Sequence, residues 1–393
     1  MSRHMRTIVI SALALQLATV PVAQAQSNAT LVPAVSVGNL YDDNLFAKAN
    51  GDAGVMTVVR PSLEGNYESP TLNLTSLFSF DMQHSNHSAL STFDARRHGD
   101  FDVHYRTTAS TILGVGVRYD RTETPGELNL DTGILGERKI ADRWELVPSL
   151  TYHVRPRTTI NASYNGMTET LVDDIRSVLH VVRAGVTREV STRDQITIGY
   201  LGRRFVDFID PRTSNVPLVG WSRDLAFATH LSVQAGPRFS PGRNDAEILA
   251  GLTRNTPHLR TALDYWHGET IILGIHGPVD VDTASARFAW PVTLRSEIGL
   301  HTGFSNSTTL DDHTVRSYRA ILVGAWTPRG GPLTVSAQYG AEFQRGLIRR
   351  SLFIDDDVVR QTISVNMTGA PRLSRTFRPT GEPPVGRRNG VDQ

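Results

Sequence analysis

Cysteine is absent from all 393 residues. That excludes disulfide stapling, on which small exported domains lean, and it excludes any zinc site built on thiolates. Long apolar runs are nearly missing as well. A helical membrane span needs about 20 consecutive apolar residues, and only residues 7–20 come near that, in a stretch too short to cross. Charge of one sign is also lacking. Lys and Arg total 40 against 39 Asp and Glu, a net charge of +1, so bulk attraction gives no reason to expect a nucleic-acid partner. No Gly-x-Ser-x-Gly elbow, His-Glu-x-x-His pair or phosphate loop occurs, so catalysis and a bound cofactor are not expected.

The N-terminus reads as an address. Arg3 and Arg6 precede the short apolar stretch, and Ala23-Gln24-Ala25 is a small-x-small cleavage pattern. We expect residues 1–25 to be a signal peptide removed after Ala25, and the chain to be exported. Residues 371–393 are rich in Pro, Arg and Gly without apolar periodicity, the composition of a disordered tail.

Between these ends the side chains alternate with period two. Phe101, Val103 and Tyr105 share one face, with Asp100, Asp102, His104 and Arg106 on the other. Leu113, Val115, Val117 and Tyr119 alternate with Gly114, Gly116, Arg118 and Asp120. The pattern persists to Ile363, Val365 and Met367. A soluble sandwich would alternate in the same way. Three features point instead to a transmembrane barrel. The strands read as roughly 10 to 13 residues, enough for the ~9–11 that cross a bilayer at a tilt. Tyr119, Tyr152, Trp290, Phe304 and Trp326 fall at strand ends, where an aromatic girdle would lie. Connections alternate between short turns, as at residues 107–110 and 155–157, and longer segments such as residues 41–54, 122–143, 239–245, 269–279 and 346–356. Short periplasmic turns and long outer loops are the barrel signature. The fold class is therefore all-β, a single transmembrane antiparallel β-barrel over residues 26–370 with about eighteen strands, or about sixteen on the alternative count. A wall that wide encloses an aqueous channel unless a loop fills it.

The polar face supplies the candidate lumen-lining residues: Asp102, Arg106, Arg118, Asp120, Arg155, Arg188, Arg203, Arg295, Glu297, Glu342 and Gln344. As pore-lining groups they would form an electrostatic filter; as structure they are what a wet interior tolerates. Two acidic segments invite a cation, at Asp42, Asp43 and Asn44 and at Asp355, Asp356 and Asp357. The first suits a turn in which Asp and Asn bond their own backbone, the second a solvated outer loop. His84, His87 and His98 lack metal-ligand spacing. No metal site is expected.

Tyr41-Asp42-Asp43-Asn44-Leu45-Phe46, between a first strand and Val58-Val59-Arg60-Pro61-Ser62-Leu63, resembles the β-barrel porin 2 type of outer-membrane protein, often linked to exopolysaccharide and exosortase-type gene clusters. Gln234-Ala235-Gly236-Pro237-Arg238-Phe239 and Gly277-Pro278-Val279-Asp280-Val281-Asp282 fit the same pattern. Tyr41, Asp42, Asp43, Asn44 and Phe46 carry the resemblance. It implies a Gram-negative outer-membrane location, contact with lipid and with the barrel-assembly machinery, and a conduit for export or assembly of surface polysaccharide. It brings no catalytic residues. A general diffusion porin for small solutes and a plugged envelope barrel that binds partners are the competing expectations. Oligomeric state is left open.

Overall fold

A computed structural model describes residues 27–370 apart from residues 49–50, 130–131, 137, 172–175, 207–210, 227, 242, 276, 329–331 and 350–351. The proposed signal peptide and the proposed tail lie outside the described residues.

Eighteen strands form one sheet. They are β1 (Asn28–Asp42), β2 (Gly54–Glu68), β3 (Leu72–Ser85), β4 (Thr92–Thr108), β5 (Thr111–Thr122), β6 (Ala141–Arg155), β7 (Thr158–Leu171), β8 (Arg176–Glu189) and β9 (Asp194–Val206). There follow β10 (Arg212–Leu225), β11 (Thr229–Ser240), β12 (Arg243–Asn255), β13 (Arg260–Thr270), β14 (Val279–Thr293), β15 (Ser296–Thr308), β16 (Thr314–Trp326), β17 (Leu333–Arg349) and β18 (Leu352–Gly369). Each strand pairs antiparallel with the next, and β1 also pairs with β18 from Val35 opposite Gly369 to Asp42 opposite Thr362. The sheet closes on itself, so the architecture is a barrel and not a sandwich. The even count leaves Asn28 at the start of β1 and Gly369 at the end of β18 at the same mouth, the one that carries the short turns.

Pairing register fixes which side chains face out. One cross-strand row runs through Tyr105, Leu113, Leu150, Ala162, Ala184, Tyr200 and Pro217. Such rows present an apolar exterior, with Ile198 67% and Val219 64% exposed. Apolar side chains left this open suit hydrocarbon, not water. Aromatic residues bound the belt. Tyr119 packs tilted against Trp144 with centroids 4.4 Å apart, and Tyr318 lies between Phe304 and Phe343. Trp221, Trp290 and Trp326 lie toward the short-turn mouth.

Three expectations need correction. The segment at residues 239–245 is no long loop, because β11 runs to Ser240 and β12 starts at Arg243. The segment at residues 346–356 is mostly strand, so Asp355, Asp356 and Asp357 belong to β18 and not to a solvated loop. The inner face is not polar throughout. Leu179, Val181, Leu201, Phe205 and Val216 are in phase with inward positions and form one buried apolar cluster. The reason lies in two of the long connections, and it settles whether a loop fills the channel. The two connections at residues 123–140 and 271–278 do not stand out from the mouth but fold into the barrel, and their own apolar side chains need inner-wall partners.

Candidate functional site: the loop-narrowed lumen

The sequence of the β13–β14 connection explains its position. Ile271, Ile272, Leu273 and Ile275 would be exposed on an outer loop; inside the barrel they are 8%, 1%, 5% and 8% exposed. Ile271 joins the apolar cluster on β8, β9 and β10, while Ile272 and Ile275 pack with Val279, Val281 and Val315. Burying a side chain of this kind is worth about 1.5–3 kcal/mol. The β5–β6 connection contributes Ile134 to the same group, and its Leu135 packs on Ala47 of the β1–β2 connection and on Val358 of β18.

Polar contacts fix the loops once they are inside. Gln344 of β17 is fully buried; its Oε1 accepts the Leu135 N–H at 2.6 Å and its Nε2 donates to the Leu135 carbonyl at 3.1 Å. The Ser317 hydroxyl of β16 donates to the Thr132 carbonyl at 2.5 Å. Asn129 links one loop to the other: its Nδ2 donates to the Ile134 carbonyl at 3.1 Å, and its Oδ1 accepts the Leu273 N–H at 3.1 Å. Buried backbone groups are thus satisfied by side chains, as an irregular segment away from water requires.

Charged groups ring the lumen around and below this plug. Arg60 grips Asp81 with two 2.6 Å bonds, His98 bonds Asp120 at 2.6 Å, and Arg138 reaches Glu123 at 3.2 Å. Glu247 is fully buried. It takes a bidentate pair from Arg203 at 2.9 and 2.5 Å and the Trp266 indole N–H at 3.0 Å, with the Arg238 guanidinium 3.6 Å away. Arg238 bonds Asp280 in turn. The bidentate pair and the added indole donor together occupy both oxygens of the buried carboxylate.

Two cavities remain open beside the plug. One, of about 550 Å³, is lined by Asn161, Ser163, Arg183, Thr187, Gln234 and Trp266 among others. The second, of about 470 Å³, is lined by Asp264, Ser285, Arg287, His301 and Arg319, with Thr132 of the inward loop. Trp266 borders both. Arg183 has no ion-pair or side-chain hydrogen-bond partner among the described residues, whereas Arg287 is held by Asp264 at 2.9 Å. Such cavities offer hydrogen-bond donors, acceptors and the exposed Arg183 guanidinium to a polar solute.

Most sequence-chosen lumen residues are inside but already engaged. Asp102 bonds His104 at 2.7 Å, Arg118 reaches Asp100 at 3.0 Å and Glu145 at 3.8 Å, and Glu342 lies 3.4 Å from Arg360. Asp120 and Arg203 are paired as above, and Glu297 bonds Arg260. Arg106, opposite Ile112, and Arg155 sit at the short-turn mouth. Arg188 faces out: it lies opposite Ile196, in phase with the exposed Val186 and Ile198. Arg295 belongs to the turn between β14 and β15 and not to the wall. Arg183, Arg287, Arg319, His301 and Trp266 were missed. Period two marks Arg287, which alternates with Ala286 and Phe288.

The acidic segment after β1 is a fastening. Asp42, fully buried, accepts the Asn44 N–H at 2.9 Å and pairs with Arg360 at 2.7 Å. Asp43 accepts the Gln361 N–H at 2.6 Å. Asn44 donates to the Lys48 carbonyl at 2.7 Å and the Val359 carbonyl at 2.9 Å. Tyr41 points outward at 42% exposure, and Phe46 packs beside the Leu45, Met56 and Leu90 cluster. Together they stitch β1 to β18 and leave no ligand face. His84, His87 and His98 do not converge, since His98 is taken by Asp120 and His87 lies 3.2 Å from the Ala53 carbonyl. Among the described residues no three acidic, His or Cys side chains gather as a metal site.

No family model matches the chain, and no curated protein matches it. Solved structures do share the architecture. OccK2 (OpdF) of Pseudomonas aeruginosa is 10% identical over 88% of this chain and 100% of its own, with a TM-score of 0.49. OccK7 (OpdD) of the same organism is 12% identical over 88% and 100%, also at 0.49. OccAB4 of Acinetobacter baumannii is 10% identical over 88% and 99%, at 0.47.

Proposed function

We propose that this chain is an outer-membrane channel through which small polar solutes cross, with a lumen narrowed by two infolded loops. The apolar, aromatic-bounded exterior supports the membrane placement, and the address read in residues 1–25 accords with it. The observation that carries the channel reading is the contrast inside. Charged and amide groups line two cavities next to an apolar plug, and Arg183 is directed into the larger one without a partner. An exposed guanidinium on the inner wall with no protein partner offers a passing solute a charge that the wall itself does not use.

Export or assembly of a surface polysaccharide is the further reading, and its support is the resemblance at Tyr41, Asp42, Asp43, Asn44 and Phe46. An extended polymer would have to displace both loops from their apolar and hydrogen-bonded seats, so small-solute passage is the reading we favour. Planar-bilayer recording of the purified chain tests it. The expected result is discrete low-conductance steps, and Arg183→Gln should move the reversal potential in a salt gradient toward cation preference. Absence of any channel step would overturn the proposal. Loss of surface polysaccharide in a deletion strain, with no conductance, would favour the export reading instead.

A further inference from the structure

We infer that the outer face of β7 to β10 holds a binding site for the phosphate groups of an outer-leaflet glycolipid. The inference rests on the outer-membrane placement proposed above. Gly166, His180, Arg204 and Thr213 stand side by side in one outward row. Arg176 lies two outward positions further along β8. Neither Arg176 nor Arg204 has an ion-pair or side-chain hydrogen-bond partner among the described residues, and both are exposed. Arg204 stands directly opposite His180, and Arg176 lies four residues, about 13 Å of strand, further toward the loop end, so the two guanidinium groups span the width of a headgroup that carries more than one phosphate.

The position of the row relative to the apolar belt identifies what the anion must be. Along β8, the outward side chains from Val182 through Val186 are apolar, with His180 at one end and Arg188 at the other. Those ends are eight residues apart, about 26 Å of strand, or about 20 Å along the barrel axis at the usual tilt. That is close to the apolar band of an outer-membrane barrel, so the basic row sits at headgroup level. On β9 the outward run of Ile196, Ile198 and Tyr200 likewise ends at Arg204. The row lies at the loop-bearing mouth, which faces the cell exterior, where the leaflet is built of phosphorylated glycolipid.

The local geometry is prepared for a polar ligand. The Tyr164 and Tyr200 rings lie over Gly166 and Gly202, where any Cβ would fall 2.8 and 2.9 Å from the respective hydroxyls. A Cβ at either position would push the ring aside, so glycine lets the rings reach up to the basic row as they stand. There the Tyr164 hydroxyl meets His180 Nδ1 at 2.6 Å, which fixes the imidazole and leaves Nε2 free, and the Tyr200 hydroxyl bonds Asn215. The exposed Thr213 hydroxyl adjoins Arg204. Guanidinium, imidazole and hydroxyl groups together match a phosphate monoester, while the Val182 and Ile198 surface below takes the acyl chains.

Native mass spectrometry of the full chain in detergent, with bis-phosphorylated lipid A added, tests the site. The expected result is one tightly held lipid A, with dephosphorylated lipid A and phosphatidylglycerol each weaker by at least about tenfold. The double variant Arg176→Gln/Arg204→Gln should lose the same factor, while Arg188→Gln at the other rim should not. A heat-modifiability gel shows that each variant has folded as a barrel. Equal binding of the dephosphorylated lipid to the native chain would overturn the inference even if a variant failed to fold. Equal binding of phosphatidylglycerol would overturn the glycolipid assignment. Loss of the heat-induced shift in the native chain would instead remove the membrane placement itself.

Discussion

Replacing Asn129 by Leu separates the contribution of the latch between the infolded loops from that of their apolar seats. Asn129 is 6% exposed and serves one backbone group on each loop. Its loss leaves the Leu273 N–H and the Ile134 carbonyl buried without partners, at about 1–3 kcal/mol each, or about 2–6 kcal/mol in all. Against this stands the burial of Ile271, Ile272, Leu273 and Ile275. At about 1.5–3 kcal/mol each, it amounts to about 6–12 kcal/mol as an upper bound. At the low and middle of these ranges docking survives the single change. Even the low figure of about 2 kcal/mol shifts the docked-to-undocked ratio about thirtyfold. Single-channel recording should show the mean current little altered, with brief excursions to a larger conductance about thirtyfold more frequent. Adding Ile272→Asn removes a further seat and buries an amide, costing about another 2.5–6 kcal/mol. The larger conductance should then dominate. If the double variant conducts with the level and noise of the native channel, these loops do not form the limiting constriction and the reasoning fails.

Other outcomes follow from the wall. Asp42→Ala strips Arg360 of its closest partner and leaves it 3.4 Å from Glu342. A destabilisation of about 3–5 kcal/mol should lower the temperature at which the folded band is lost on an unboiled gel, and an unchanged midpoint would show that the β1–β18 seam does not limit stability. Ile198→Lys places a charge in the apolar belt and should cost about 2–4 kcal/mol in refolding titrations into liposomes, whereas Arg188→Lys at the rim should be nearly neutral. Equal effects would contradict the assigned depth of the two residues.

Much of the barrel was legible because alternation is a direct imprint of two solvents on one strand. Even the less regular stretches near residues 219 and 285 fall in β10 and β14, where Val219 and Trp221, or Ala286 and Phe288, still keep phase. The plug was illegible for a physical reason. Period two says which face a residue takes but not whether a third body covers that face. Two signals existed. Ile271, Ile272, Leu273 and Ile275 are too apolar for a loop in water, and Val178 to Val182 is apolar on both phases except at His180. Both make sense only when something greasy meets the inner wall. Arg188 was misassigned because a basic side chain at the rim suits either face, and only the register opposite Ile196 decides. The partnerless state of Arg183 depends on its neighbours across the strands, which no single sequence displays.

The clasp made by Asp42, Asp43 and Asn44 also sets an order of events. The hydrogen bond from Asn44 to Val359 joins positions 315 residues apart, and closing so long a loop from a flexible chain would cost about 5 kcal/mol in entropy. That penalty falls away once the intervening hairpins have zipped one onto the next and carried the last strand round to the first. The clasp is therefore a terminal step, and damage to it should leave early hairpin formation untouched while delaying the moment at which an open, curved sheet becomes a tube.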